Sequence, residues 1–214
     1  WQALNPTIAS IGASGTVIGL SQGLANFRFV SAATGCAAIT LSPLKVNGKP
    51  VVSIQGPTDI CIGSETYLSP ASGGIWVSEN PSIASVTNQG TVTGIAVGTV
   101  RFQFINSATM CTSDYTLPIE VNAPKPIINL GTDIICLGYK TQLSTGYPGV
   151  WQSSDINVLT INSSGEVNSV APGKANITFT ETATGCVSIL PNDGIKVINC
   201  LDPDFNVTFT NHTV

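Results

Sequence analysis

The sequence predicts an all-β chain built as a tandem array of small sandwich modules, and three observations carry that expectation. Tryptophan occurs three times, at positions 1, 76 and 151, so the spacing is 75 residues in both intervals. The neighbourhoods recur with it: Trp1-Gln2-Ala3-Leu4-Asn5-Pro6-Thr7-Ile8-Ala9-Ser10 aligns without a gap on Trp76-Val77-Ser78-Glu79-Asn80-Pro81-Ser82-Ile83-Ala84-Ser85, and more loosely on Trp151-Gln152-Ser153-Ser154-Asp155. The same shift superposes Gly15, Gly90 and Gly165; Gly23, Gly98 and Gly173; Phe29, Phe104 and Phe179; and Cys36, Cys111 and Cys186. A repeat of this period marks one folding module per copy. The third observation is composition. Charged residues make up only 9% of the 214, and Ser, Thr, Asn and Gly are abundant, which suits strands and turns and disfavours long helices.

The period divides the chain into about two and two-thirds modules. Residues 1–48 are expected to form the C-terminal part of a repeat, 49–123 and 124–200 complete repeats, and 201–214 the start of a following domain or linker. Nothing before Trp1 corresponds to 49–75, so the chain reads as a piece of a longer polypeptide.

A formal charge of −4 with scattered Lys and Arg leaves no basic stripe for phosphate backbones, and nucleic acid is not an expected partner. No apolar run reaches the roughly 20 residues that span a bilayer, and no signal peptide is visible. The six cysteines show neither Cys-x-x-Cys nor His-rich spacing, so they point to disulfides and an oxidising, extracellular setting.

Within 49–123, Val51–Ile54 and Asp59–Cys61 are short β-prone runs, Ile62-Gly63-Ser64 is a turn, and Thr66-Tyr67-Leu68 is an alternating strand. Asn80-Pro81 and Asn88-Gln89-Gly90 are turns on either side of Ile83–Val86. The run from Val100 to Phe104 alternates, placing Val100, Phe102 and Phe104 inward. Its counterparts point Ala25, Phe27 and Phe29, and Ala175, Ile177 and Phe179, the same way, with Lys174, Asn176 and Thr178 outward. A last strand from Tyr115 to Val121 closes the module. Seven or so short strands around a mid-module Trp describe an immunoglobulin-like sandwich. Trp1, Trp76, Trp151, Phe29, Phe104 and Phe179 are then core residues, and the recurring glycines are turn residues that need positive φ.

The pattern Gly63...Leu68...Trp76-x-Ser78-x-Asn80...Ile83-Ala84-x-Val86...Gly90-x-Val92-Thr93-Gly94...Gly98 resembles the bacterial Ig-like domain, group 2 (BIG2). Such domains form repeats in surface adhesins, so the resemblance implies a linear rod of modules. The Cys-x-Gly turns, the Ala-Thr-x-Cys hairpins and the tail Asp202-Pro203-Asp204-Phe205-Asn206-Val207-Thr208 are further similar to very long Bacteroidota surface proteins of the gliding-adhesin kind. That implies type IX export.

In this topology Cys61 lies in the turn joining the first two strands and Cys111 in the hairpin at the opposite end. A module is roughly 35 to 40 Å long at about 3.3 Å per residue, whereas bonded cysteines bring their Cα atoms within about 7 Å. Two pairings compete. The one preferred here joins Cys61 to Cys186 across a module junction and Cys136 to Cys200, leaving Cys36 and Cys111 unpaired within this span and bonded to modules upstream. The other keeps each bond inside one repeat, Cys61 to Cys111 and Cys136 to Cys186, with Cys36 and Cys200 free.

No paired carboxylates, no nucleophile with a base and no phosphate-cradling loop stands out, so neither catalysis nor a cofactor is expected. His212 is the only histidine, which leaves no triad or His-based metal centre. Asp202 and Asp204 fall short of the six to eight oxygens that calcium takes. Asn162, Asn176, Asn206 and Asn211 begin Asn-x-Ser/Thr sequons, as an Asn- and Thr-rich chain produces by chance. The leading reading is a non-catalytic stalk or spacer segment of a secreted cell-surface adhesin, acting in adhesion or gliding motility. Its partners are neighbouring repeats of the same polypeptide, stiffened by linkers such as Asn122-Ala123-Pro124-Lys125-Pro126. The alternative is a module that binds surface polysaccharide or protein, or an appendage of a large secreted enzyme. Tyr67, Tyr115, Tyr139 and Tyr147 are the aromatics available for binding, and they do not recur in register.

Overall fold

A computed structural model describes residues 1–200. The expected start of a new domain at 201–214 lies outside these described residues, and with it Asp202, Asp204, His212 and two of the sequons. Among the described residues every regular element is a β-strand. The fold is a tandem series of Ig-like β-sandwich repeats. By packing, the chain divides into two compact units, Trp1–Thr58 with Gly63–Val121, and Asp59–Ile62 with the chain from Asn122 onward.

Residues 124–200 show the plan. A four-stranded sheet runs in the order Ile128–Asn129, Lys140–Ser144, Glu166–Ser169, Leu159–Ile161. Against it lie the sheet Gly149–Ser153, Ile177–Glu181, Val187–Ile189 and the sheet Ile134–Cys136, Ile195–Ile198, Gly173–Ala175. Alternation along each strand puts one side chain in two inward. The resulting core holds Leu143, Leu159, Val167, Ile177, Phe179 and Ile195, with Trp151, Val158 and Ile161 half-buried against it.

Residues 49–123 follow the same order. Ala84–Val86, Thr91–Gly94, Glu65–Ser69 and Ser53–Ile54 form one sheet; Gly74–Ser78 pairs with Phe102–Asn106; and Ile119–Asn122 lies between Gly98–Val100 and Asp59–Cys61. Thr66 and Leu68 are buried and Tyr67 is exposed, as the alternation requires. In residues 1–48, Gln2–Ala3 pairs with Phe27–Val30, which pairs with Ala37–Ile39. Ala9–Ile11 there pairs with Val17–Gly19, and Gly23–Ala25 with Leu44–Val46.

Two expectations about strands are corrected. The run Val100 to Phe104 is not one strand: Gly98–Val100 pairs with Ile119–Asn122, whereas Phe102–Asn106 pairs with Gly74–Ser78. The chain changes sheets at Arg101, and at Asn26 and Asn176 in the other copies. Its carbonyl stays satisfied at each change, because the N–H groups of Leu4, Glu79 and Ser154 donate to the carbonyls of Asn26, Arg101 and Asn176 at 2.9 Å each. The inward alternation survives the change: Val100, Phe102 and Phe104 are all buried.

The expected final strand from Tyr115 is shorter, Ile119–Asn122. Pro118 has no N–H to continue a ladder. Side chains take over upstream: Ser113 Oγ accepts from Phe104 N–H at 2.9 Å and Thr116 Oγ1 from Phe102 N–H at 3.1 Å. Both hydroxyl residues are buried for that reason.

The indoles meet the phenyl rings as cross-strand partners, Trp76 opposite Phe104 and Trp151 opposite Phe179. Ring centroids lie 5.2 and 4.7 Å apart in tilted arrangements, a geometry that contributes about 0.5–1.5 kcal/mol beyond area burial. Trp76 is buried and its Nε1–H donates to Pro70 O at 2.9 Å. Trp1 and Phe29 pair likewise at 5.0 Å, yet they are 46% and 43% exposed and do not form the core expected of them. The strands Glu65–Ser69 and Lys140–Ser144, which supply buried Leu68 and Leu143 in the other copies, have no counterpart within 1–48. The core of that repeat is Ala9, Ala25 and Phe27, with Ile8, Ile11, Val17 and Val46 beside them.

Candidate functional site

The chemistry this chain carries is in its cysteines, so the site is built from the two turns that hold them. The first is the Cys-x-Gly turn. Asp59–Cys61 ends where Ile62-Gly63 turns back into Glu65–Ser69, with Gly63 at φ +83°. Ile134–Cys136 ends the same way before Gly138 at φ +87°. Each strand lies along the last strand of its own repeat through the same two bonds. Glu120 N–H donates to Thr58 O at 2.7 Å and Ile62 N–H to Asn122 O at 2.9 Å; Lys196 N–H donates to Asp133 O at 2.8 Å and Leu137 N–H to Ile198 O at 2.9 Å. The second pairing is parallel, with Cys136 opposite Ile198.

The other turn is the hairpin Ala-Thr-x-Cys, present three times. Ser31, Asn106 and Glu181 N–H donate to the carbonyls of Cys36, Cys111 and Cys186 at 2.9, 3.0 and 3.0 Å. Gly35, Met110 and Gly185 N–H donate back to Ser31, Asn106 and Glu181 O at 2.9, 2.8 and 2.9 Å. The threonine hydroxyls of Thr34, Thr109 and Thr184 accept the cysteine N–H at 3.4, 3.4 and 3.3 Å. The x position has positive φ in all three: +67° at Gly35, +71° at Gly185 and +56° at Met110. Only at Met110 is that conformation imposed on a residue with a Cβ.

Cys61 is bonded to Cys186 with Cα atoms 5.6 Å apart, across 125 residues of sequence. Cys136 is bonded to Cys200 with Cα atoms 5.3 Å apart, across 64 residues. The first bond joins the Asp59–Cys61 strand of one repeat to the hairpin of the next. Its partner segment, Asp59–Ile62, groups with the second compact unit and not with the rest of its repeat. Cys186 is fully buried. Beside it, Glu181 is buried, with Thr184 Oγ1 donating to it at 2.7 Å and Lys125 Nζ at 3.6 Å. The Lys125 ammonium also sits 4.7 Å from the Tyr147 ring centroid, and Lys125 O accepts from Ser188 Oγ. The linker residue is therefore held by its charge and its backbone together. Sequence reasoning missed this cluster, because neither Lys125 nor Glu181 recurs in register. Cys36 is free and exposed, and Cys111 is free and half-buried.

Among the described residues no group of three or more His, Cys, Asp or Glu is placed to hold a metal ion, and no helix is long and apolar enough to cross a membrane. Lys140 Nζ lies 2.9 Å from Glu166 Oε1; this hydrogen bond and the ammonium charge hold the Glu166 carboxyl below the usual range. The four tyrosines are exposed, Tyr115 beside a groove of about 430 Å³ lined by Val52, Ile54, Thr116 and Leu117. The corresponding groove of the next repeat is polar instead, with Asn129, Asp133 and Asn192 joined by amide-to-carboxylate bonds of 2.7 and 3.2 Å.

Residues 64–109 match the family model of the bacterial Ig-like domain (group 2). No curated protein matches the chain in sequence. Among solved structures, the chain is similar to invasin, described as a bacterial integrin-binding protein, at 14% identity over 85% of this chain and 46% of that one, with a TM-score of 0.44. It is also similar to the S-layer protein rSbsC(31-844), at 15% identity over 92% of this chain and 38% of that one, TM-score 0.31. A third likeness is to Drosophila OTK extracellular domains 3-5, at 12% identity over 91% and 79%, TM-score 0.28. The chain thus spans less than half the length of the S-layer protein and of invasin.

Proposed function

We propose that this chain is a covalently braced spacer, a non-catalytic stalk segment of an extracellular cell-surface adhesin that holds a distal binding domain away from the surface. One observation carries the reading: Cys61 of one repeat is bonded to Cys186 of the next. A bond that served only to staple a small core would close within a single repeat. A bond between successive repeats passes tension along the chain through covalent links and shields the proline-rich linker from extension. The Lys125, Glu181 and Ser188 contacts pin that same linker. Disulfides of this kind persist in oxidising, extracellular surroundings. The finer reading, a gliding-motility adhesin of the flavobacterial SprB kind exported by the type IX route, rests on the resemblance of the Cys-x-Gly and Ala-Thr-x-Cys turns.

Single-molecule pulling tests the spacer reading. The bond shunts 125 residues, so at about 3.4 Å per residue roughly 430 Å of contour stays hidden until the disulfide is reduced. Release of that length without reductant would refute a brace.

A further inference from the structure

We propose that Trp151, with the two grooves that share it as a wall, is a binding site for a neutral, β-linked pyranose chain. The site belongs to residues 124–200 alone. It stands apart from the spacer reading, because a braced array works as a spacer with one sugar contact or with none.

Two tryptophans in the same register differ. Trp76 is 4% exposed, and its Nε1–H is spent on Pro70 O at 2.9 Å. Trp151 is only half-buried, and among the described residues its Nε1–H has no acceptor. That N–H opens to solvent, since Asn122 Nδ2 is the one buried side-chain nitrogen or oxygen without a partner among the described residues. The sequence explains the change. Thr145 stands 75 residues after Pro70, and its hydroxyl is turned onto its own loop, accepting from Tyr147 N–H at 3.2 Å. Phe179 packs against the indole with ring centroids 4.7 Å apart and holds it in place. The result is a fixed aromatic surface with an unused donor on its rim, the pairing of apolar body and polar handle that suits an amphipathic ligand.

The surroundings narrow the class of that ligand. One groove, of about 310 Å³, is lined by Ser144, Thr145, Tyr147, Ser163 and Ser164 beside Trp151. The other, of about 510 Å³, is lined by Gln152, Ser153, Ile156, Thr160 and Ile161 beside the same indole. The hydroxyls of Ser144 and Ser163 and the carboxamide of Gln152 have no protein partner among the described residues, so they are open to a ligand. The Tyr147 ring is already engaged by the Lys125 ammonium, 4.7 Å from its centroid, which leaves the indole as the stacking surface. No charged side chain lines either groove, which selects against phosphates, acidic sugars and basic peptides. A neutral pyranose fits what remains: its C–H face lies on the aromatic ring while its hydroxyls meet hydroxyl, carboxamide and indole N–H groups. β-Linked units with mostly equatorial hydroxyls present a flat C–H face and continue as an extended chain. Two grooves meeting at one indole take the sugars on either side of the stacked one.

The test follows the three indole N–H signals of the intact, nitrogen-labelled 214-residue chain by NMR while cellohexaose, xylohexaose and β-mannohexaose are added in turn. Exposure alone favours Trp1, which is 46% exposed. A built site reverses that order: at least one sugar is expected to shift the Trp151 signal saturably, with half-saturation at roughly 1 mM, and to leave Trp76 unmoved. Gln152→Ala and Ser163→Ala, both at exposed positions, are each expected to weaken binding about fivefold while urea unfolding stays unchanged. Absence of a saturable Trp151 shift with all three sugars overturns the proposal. So does a shift that falls on Trp1 as strongly, or one that keeps its full strength in both alanine variants.

Discussion

Replacing Gly90 by alanine separates two contributions that most glycine substitutions mix. Gly90 and Gly63 lie in the same repeat with nearly the same backbone, φ +85° and +83°. A Cβ at Gly63 meets nothing within 4 Å, so Gly63→Ala isolates the cost of the left-handed conformation, about 1–2 kcal/mol. A Cβ at Gly90 stands 3.1 Å from the Leu68 carbonyl carbon and 3.3 Å from Trp76 Nε1, and closer still to Leu68 O. Leu68 is fixed there because its own N–H donates to Gly90 O at 2.8 Å. The neighbour is backbone and cannot swing away as a side-chain tip would, which adds an overpacking cost of about 1–3 kcal/mol. Gly90→Ala is therefore expected to lose about 2–5 kcal/mol and Gly63→Ala about 1–2. Urea unfolding of both variants, read by Trp76 fluorescence in a background of Trp1→Phe and Trp151→Phe, makes the comparison. Equal losses at the two sites would refute the argument from close approach.

Other expectations follow from the same geometry. Met110→Gly relieves a positive φ at the hairpin position that holds glycine in the two equivalent turns, and calorimetry is expected to show about 0.5–1 kcal/mol of added stability. Cys61→Ala with Cys186→Ala removes a bond closing a long loop and costs about 2–4 kcal/mol in denaturant titrations; a change below about 0.5 kcal/mol speaks against it. The Glu166 carboxyl, held low by Lys140, titrates nearer the usual range in Lys140→Met when followed by carbon NMR. Because the folded value is the depressed one, the small contribution of this exposed pair is present above the ordinary carboxylate range and fades as pH falls through the folded value. Iodide is expected to quench single-tryptophan chains carrying Trp1 strongly and those carrying Trp76 weakly, in line with their exposures of 46% and 4%.

The period of 75 made the strands, the turns and the inward face legible before any coordinates, because each copy restates the same alternation in a different sequence. Val100, Phe102 and Phe104 are buried as their spacing required. Periodicity was silent on the change of sheet at Arg101, since a strand that crosses between layers keeps its inward alternation while exchanging hydrogen-bond partners. It was silent too on the exposure of Trp1 and Phe29. Their register is that of core residues, but burial depends on the strand laid over them, and no residue of 1–48 supplies it. The Lys125–Glu181 cluster was invisible for a different reason, as it is a feature of one repeat and leaves no periodic trace.

The central claim is that successive repeats are joined covalently, and peptide mapping of the unreduced chain tests it most directly. The account predicts cross-linked peptides joining Cys61 to Cys186 and Cys136 to Cys200, with Cys36 and Cys111 recovered as alkylated thiols. Recovery of Cys61 bonded to Cys111, with Cys136 bonded to Cys186, would contradict it.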